Sequence, residues 1–226
     1  MCAQPLAQIF ASEDLIGYLN WPLLSLGLHA ETNISHAPDI SKDSYLSINF
    51  ARSQQGQRAI WPIVEHTFFR DRLKSSLATS LSEEISHRVL KQTQEIINTL
   101  TWNGSGITRF TVTGELIDIT RGVQRESMWS LDHSTTSAFE NEVRAVFDLP
   151  LGDVTSRDGS WMTLEFSAPH ELDMFRPYLH LCARNPRYKF HHFDSHRGLV
   201  SLSGKALNLQ EDLEHAVEYL EGVIDE

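Results

Sequence analysis

The sequence predicts an α+β fold: a largely antiparallel sheet with flanking helices. Three observations lead there. Ile107–Val112 and Leu116–Thr120 are short β-rich runs separated by Thr113-Gly114-Glu115, which is a hairpin signal. Tyr45–Ala51 alternates, with Leu46, Ile48 and Phe50 facing one way and Ser47 and Asn49 the other, as a half-buried strand does. Ser80 with Glu83, and Ser137 with Glu140, read as capping boxes at the starts of helices. Hairpins interleaved with helices, rather than strictly alternating strands and helices, favour antiparallel pairing.

In chain order, Leu6–Phe10 reads as a short strand. Ser12 opens a helix with Leu15, Ile16 and Leu19 on its apolar side, and Pro22 interrupts it. After the polar loop His36–Lys42 comes the strand Tyr45–Ala51. Gln54-Gln55-Gly56-Gln57 turns the chain into a partner strand, Ala59–Glu65, in which Pro62 signals an edge or a bulge. A long helix runs from Ser80 to about Trp102, with Ile85, Val89, Ile96 and Leu100 as its buried stripe, and Asn103-Gly104-Ser105-Gly106 stops it. The hairpin follows, then an irregular charged segment, Arg121 to His133. Ser137 opens a helix with Phe139, Val143, Val146 and Phe147 as one apolar stripe, ended by Pro150 and Gly152.

Asp153–Ser160 is a polar loop, which divides the chain into residues 1–152 and a small subdomain, 153–226. In the latter, Met162, Leu164 and Phe166 alternate as a strand. A short helix, Pro169–Phe175, leads to a strand, Tyr178–Cys182. Residues 184–197 form a basic, histidine-rich loop, and Leu199–Leu202 is the last strand. Asn208 with Glu211 caps a final helix carrying Leu213, Val217 and Leu220.

A net charge of −11 argues against nonspecific nucleic-acid binding and makes any local basic cluster conspicuous. Cys2 and Cys182 do not make a disulfide framework, so a reducing cytoplasm is the expected location. No apolar run reaches the ~18–20 residues that cross a bilayer, and no signal peptide is evident. His191, His192, Asp194 and His196 tempt a metal reading. Pro186 and the strand signals around them argue against a helix that would align His192 with His196, so a surface or structural cluster is expected and no metal site. No nucleophile motif or dinucleotide fingerprint is present, and no catalytic residue is assigned.

The run Thr136–Gly152, TSAFENEVRAVFDLPLG, resembles the helix that follows the ATP site in ATP-grasp enzymes of the carboxyaminoimidazole ribonucleotide synthetase family, ATP-dependent carboxylases of purine synthesis. Trp61-Pro62-Ile63-Val64-Glu65 resembles the family's Tyr-Pro-Val-Val-Glu strand, and Pro177–His192, PYLHLCARNPRYKFHH, its basic C-terminal loop. The likeness spans Ala30 to the C-terminus. It implies the second large lobe of an ATP-grasp fold with a small C-terminal α/β subdomain, and a homodimer.

The resemblance also implies functional positions. Ala30-Glu31 resembles the hinge that meets adenine, so Glu31 is a nucleotide-hinge candidate; where the family places its ribose-binding Glu, this chain has Ser44 or Tyr45. Arg184, Arg187 and Lys189 match the basic positions that hold the sugar-phosphate, and guanidinium groups suit phosphate, although two residues are missing after Arg187. A solvated loop relieving an acidic surface is the alternative. The family's metal-binding Glu on the first strand of the hairpin is replaced by Arg109, and the second strand offers only Asp118, expected as a solvated strand residue. A lone carboxylate beside Arg109 and Arg121 makes a poor Mg²⁺ site. The phosphate-covering lobe should lie upstream of Ala30, where 29 residues contain no Lys, no Arg and no glycine-rich loop.

The expectation is therefore a degenerate, noncatalytic relative of the synthetase. No cofactor is expected, with MgATP only if the family activity survives. The chain would bind a phosphorylated small molecule or a partner protein, and neither nucleic acid nor membrane. Two alternatives stand beside this. One is half of a split ATP-grasp carboxylase that needs an N-terminal partner chain; the other is a dimerisation module without a ligand.

Overall fold

The structure, a computed structural model, describes residues 44–69, 72–79, 81–100, 102–168, 173, 175–204 and 206–222. The strand Leu6–Phe10, the helix after Ser12, the Ala30-Glu31 hinge and most of the short helix expected at 169–175 lie outside the described residues. Among the described residues nine strands form one sheet: β1 (Ser44–Arg52), β2 (Arg58–Ile60), β3 (Val64–Phe69), β4 (Arg72–Ala78), β5 (Gly104–Thr111), β6 (Leu116–Arg121), β7 (Trp161–Ser167), β8 (Lys189–His192) and β9 (Arg197–Ser203). Their order is β6-β5-β1-β3-β4-β7-β9-β8, with β2 also paired to β1, and every pairing is antiparallel. The helices are α1 (Glu83–Thr99), α2 (Ser130–His133), α3 (Ala138–Val146), α4 (Phe175–Arg184) and α5 (Ala206–Leu220), with a 3₁₀ turn at Arg125–Trp129.

The partner strand expected at 59–65 is two strands. β2 pairs with Phe50–Arg52 and β3 with Ser44–Ser47, and Trp61-Pro62-Ile63 lies between them. Proline has no N–H for the ladder, so the pairing breaks there. Trp61 still donates its backbone N–H to Asn49 O at 3.0 Å, which keeps the two pieces on one edge. The β5–β6 hairpin turns at Gly114, whose φ of 86° suits a residue without Cβ.

One face of the sheet is apolar. Leu46, Ile48, Phe50 and Phe110 pack under Val89, Ile96 and Ile97 of α1 and Leu100 just past its end. Thr93 fills a gap in that stripe, its hydroxyl 3.0 Å from that of Thr108. Further along, Leu213, Ala216 and Leu220 of α5 and Leu181 of α4 join Leu164, Val200 and Leu202 in a second apolar cluster.

The opposite face is covered as well, which corrects the half-buried reading of β1. The 3₁₀ turn and α3 lie over it, and Tyr45 through Ala51 are all buried. Polar side chains of β1 therefore had to find partners inside the protein.

Several local expectations change. The N-cap of α1 is Ser82, which accepts from Ile85 N at 3.3 Å, and the helix ends at Thr99. Gly104-Ser105-Gly106 does not stop α1 but begins β5. Ser137 does cap α3, accepting from Glu140 N at 3.1 Å. The buried face of that helix, however, is Ala138, Asn141, Glu142 and Ala145, while Val143, Val146 and Phe147 are exposed. Small residues let α3 sit close on the β5 backbone, where Glu142 accepts the Ser105 N–H. Tyr178–Cys182 is helix, not strand, because Pro177 and Leu181 bury one helical face four residues apart. Asn208 lies inside α5, not at its cap. The basic loop contains β8, which forms a hairpin with β9.

Gly106 marks the tightest packing of β5: a Cβ there would come within 2.5 Å of Phe50 and 2.7 Å of Trp102. Gly106→Ala is expected to lower stability by about 1–3 kcal/mol, the usual cost of overpacking. Urea unfolding with an unchanged m-value and a lower midpoint is the expected readout.

Candidate functional site

The covered polar face holds a chain of buried side chains drawn from β1, β3, β4, β5, β6 and the 3₁₀ turn. Arg109 on β5 is its hub. The Arg109 Nη1 donates to Asp118 at 2.8 and 3.1 Å and to the Thr120 hydroxyl at 2.7 Å, while its Nε donates to Glu126 Oε1 at 2.7 Å. The side chains of Arg109 and Asp118 are each 10% exposed and that of Glu126 9%. Asp118 is the register partner of Arg109 across the hairpin, so the cross-strand pair forms as soon as β5 and β6 pair. The expectation of a solvated Asp118 is thus corrected: the 3₁₀ turn closes over it and Arg109 takes its charge.

Glu126 also accepts from the Tyr45 hydroxyl at 2.8 Å. The Tyr45 ring lies 5.2 Å from that of His66, which is bonded to Ser47 at 2.6 Å through Nε2 and to Ser76 at 2.7 Å through Nδ1. Burial would push the Glu126 carboxyl up, but the Arg109 guanidinium outweighs it and holds the group down at about 2. Burial works against the Arg109 charge, yet Glu126 and then Asp118 keep the guanidinium protonated more firmly than usual. Burial, with Glu126 adding to it, raises the Tyr45 phenol. Burial drives His66 down to about 4, so it is neutral at pH 7, one hydroxyl donating to it and the other accepting.

A second relay, buried at His133 and Ser201 and open to solvent at Asp158, lies at the 153–160 loop. Asp158 is 3.1 Å from His133 Nδ1, and Ser201 is 2.6 Å from His133 Nε2. A carboxylate only accepts, so Nδ1 carries the proton and Ser201 donates to Nε2. This has the order of a nucleophilic triad. Ser201 and His133 are 0% and 2% exposed, however, so no substrate carbonyl reaches the hydroxyl. The relay ties α2 to β9, with the His133 ring stacked on Trp161 at 4.9 Å and Trp161 on Trp129 at 4.8 Å.

The basic positions expected to take phosphate are partly brought together. Arg187 lines a pocket of about 290 Å³ with Asn185, Ser203, Gly204, Asn208 and Asp212. Arg184 at the end of α4 reaches towards the same Asp212, at 3.9 Å. Lys189 stands exposed on β8 outside that lining. Of the histidine cluster, His191 bonds Asp132 at 2.8 Å, the His192 ring sits edge-on to Phe166 at 5.7 Å, and Asp194 pairs with Arg197. Among the described residues no group of three or more His, Cys, Asp or Glu side chains is placed to hold a metal.

This arrangement can be set against known proteins. No protein-family model and no curated protein matches the sequence. Solved structures do match. The N5-carboxyaminoimidazole ribonucleotide synthetase of Thermus thermophilus is 22% identical with a TM-score of 0.64, over 84% of this chain and 52% of its own. The carboxyaminoimidazole ribonucleotide synthase of Aspergillus clavatus, complexed with ATP, is 12% identical with a TM-score of 0.66, over 80% and 51%. The N5-carboxyaminoimidazole synthetase of Staphylococcus aureus is 12% identical with a TM-score of 0.64, over 79% and 50%. The chain has the fold of an ATP-grasp lobe. It spans about half the length of the structures it matches.

Within this lobe, the sequence pointed to Arg109 and Asp118, and to Tyr45 only as the residue standing where the resembling family has a ribose-binding Glu, but not to Glu126, His66 or the part Tyr45 plays beside them. Their signals were present: Glu126 is an acid in a segment with Arg121 and Arg125, and Tyr45 opens the alternating strand. What joined them was the fold of the 3₁₀ turn over the sheet, which no local pattern announced.

Two outcomes follow. Arg109→Ala leaves two buried carboxylates without a counter-charge, and a loss of about 3–5 kcal/mol is expected in chemical denaturation. The pH dependence has a fixed sign. The unfolded chain protonates His66 near 6.5, whereas the folded protein does so only near 4. Stability therefore falls as pH drops through that window, by roughly 1.4 kcal/mol per pH unit for one such group. The depressed Glu126 carboxyl extends the loss from 4.5 towards about 2. Urea midpoints measured at several pH values in that range should decline less steeply for His66→Gln.

Proposed function

We propose that this chain is a noncatalytic relative of the carboxyaminoimidazole ribonucleotide synthetases that binds a phosphate-bearing small molecule beside Arg187. The observation that carries the first part is Arg109, whose guanidinium lies between Asp118 and Glu126 with charge-assisted bonds to both. A nucleotide triphosphate needs Mg²⁺ on free carboxylate oxygens. Here those oxygens are engaged by a cation that cannot leave, and the residues present do not fit a magnesium-nucleotide.

The second part rests on the pocket lined by Arg187, Asn185, Ser203 and Asn208, a donor set suited to a phosphate ester. Asp212 in the same lining is partly offset by Arg184. A second reading is the working half of a split ATP-grasp carboxylase that acts with an N-terminal partner chain. That reading needs a free carboxylate pair at the hairpin, which Arg109 takes away. In this reading the chain self-associates as a homodimer, and sedimentation velocity at micromolar concentration should give the mass of two chains.

Thermal shift with aminoimidazole ribonucleotide, inorganic phosphate and MgATP separates the readings. Stabilisation should follow RT ln(1 + [L]/Kd) for whatever binds. The expected result is a shift with the phosphate esters, abolished in Arg187→Ala, and none with MgATP. Stabilisation by millimolar MgATP would sink the noncatalytic reading. Absence of any shift would leave an interaction module.

A further inference from the structure

The helix α3 has two apolar faces, and among the described residues only one of them is covered. Ala138 and Ala145 pack inward, while Val143, Val146, Phe147 and Leu149, the last two just past the helix end, are between 38% and 67% exposed. With half-buried Phe139 the outward residues recur at intervals of three and four, the spacing by which one helix meets another. They leave roughly 400 Å² of largely apolar surface bare, the size of patch that marks a contact site.

The patch is held on a fixed frame. Asp148, at φ 55°, turns the chain out of α3 between Phe147 and Leu149. Its carboxylate accepts from the Gln55 backbone N–H at 3.2 Å and from Gln55 Nε2 at 3.0 Å. Arg144 Nη1 donates to Pro150 O at 3.1 Å, and Leu151 N to Gln57 Oε1 at 2.9 Å. A surface already ordered loses little freedom on association.

Charge and area point to what covers it. At a net charge of −11 two copies of the chain repel over most of their surface. On this face they meet differently: Glu140 and Arg144 pair at 2.5 Å along the border of the stripe, so a twofold contact brings both signs to its rim in equal number. The exposed apolar residues of α4, Phe175, Tyr178 and Leu179, offer no such match. That helix carries Arg176 and Arg184 and no acid, and a twofold contact there sets like charges together. A stable interface covers about 800 Å² per partner, somewhat over half of it apolar. The α3 stripe supplies most of that apolar share, and Gln55, Glu140 and Arg144 supply a polar rim. We propose that α3 is the contact of a homodimer, its Val143 and Phe147 face lying against the same face of a second copy about a twofold axis. This rests on the self-association proposed above and gives it a surface.

The test is sedimentation velocity of the full chain over a range of micromolar concentrations, as wild type, Phe147→Asp and Leu179→Asp. The expected result is a two-chain mass for the wild type. Phe147→Asp should raise the dimer dissociation constant about 30-fold or more, the loss that follows removal of a central aromatic anchor. Leu179→Asp on α4 should leave that constant unchanged. Near-UV circular dichroism checks the fold, and Val146→Glu takes the place of Phe147→Asp if that variant does not fold. A Phe147→Asp chain that dimerises like the wild type overturns this surface and leaves self-association standing. So does a dimer broken by Leu179→Asp instead, since α4 would then carry the contact. A wild-type chain of single mass overturns both the surface and the homodimer. If the Tm of that monomer also drops in Phe147→Asp, the α3 face belongs to residues 1–43 of the same chain. Phosphate binding is read separately through Arg187→Ala, so every one of these failures leaves it untouched.

Discussion

The guanidinium of Arg109 is the interaction on which one whole face of the sheet depends. Two carboxylates, a phenol and a threonine hydroxyl converge on it or on its partner Glu126 in a space nearly closed to water. In such surroundings an unpaired charge is far more costly than in solvent, and a paired one holds its neighbours in place. Tyr45, Asp118, Thr120 and Glu126 are thereby held in a single arrangement. The 3₁₀ turn that carries Glu126 is anchored to the sheet by the same contact, and Ser127 beside it donates to Asn49 at 2.6 Å.

Closing that face has consequences for packing. Alternating strands in antiparallel sheets usually turn their polar side to water. Here Ser47, Asn49, His66 and Ser76 look inward, and each hydroxyl or ring meets another polar group. The helix that completes the cover, α3, presents Ala138 and Ala145 to the sheet and turns Val143, Val146 and Phe147 outward. Close approach to the β5 backbone, where Glu142 takes the Ser105 N–H, decided that orientation over the burial of larger apolar groups. Burial raises the Glu142 carboxyl, while that N–H and the Arg121 charge act in the opposite direction.

The C-terminal strands extend the same sheet by a different logic. β7, β9 and β8 bury an apolar face under α5 and α4, and the α2 segment reaches across to them through His133 and Asp132. The pocket lined by Arg187 opens at the edge of this unit, so its polar lining rests on a conventional hydrophobic core rather than on a buried ion network. Among the described residues no helix is long and apolar enough to cross a membrane.

Much of this was legible in the residues alone. Alternation marked β1 and β7, a glycine turn marked the β5–β6 hairpin, and Ser137 marked the start of α3, because each rests on contacts within a few residues. That Arg109 puts a cation on the first strand of the hairpin was legible too, since it needs only the identity of one side chain. The structure alone decided that Asp118 would be buried, that Glu126 and His66 would join it, that Tyr178–Cys182 would coil as helix, and that α3 would turn its apolar stripe to the outside. These depend on which surfaces meet across tens of residues. Burial and charge pairing are properties of that meeting and of no local stretch of chain.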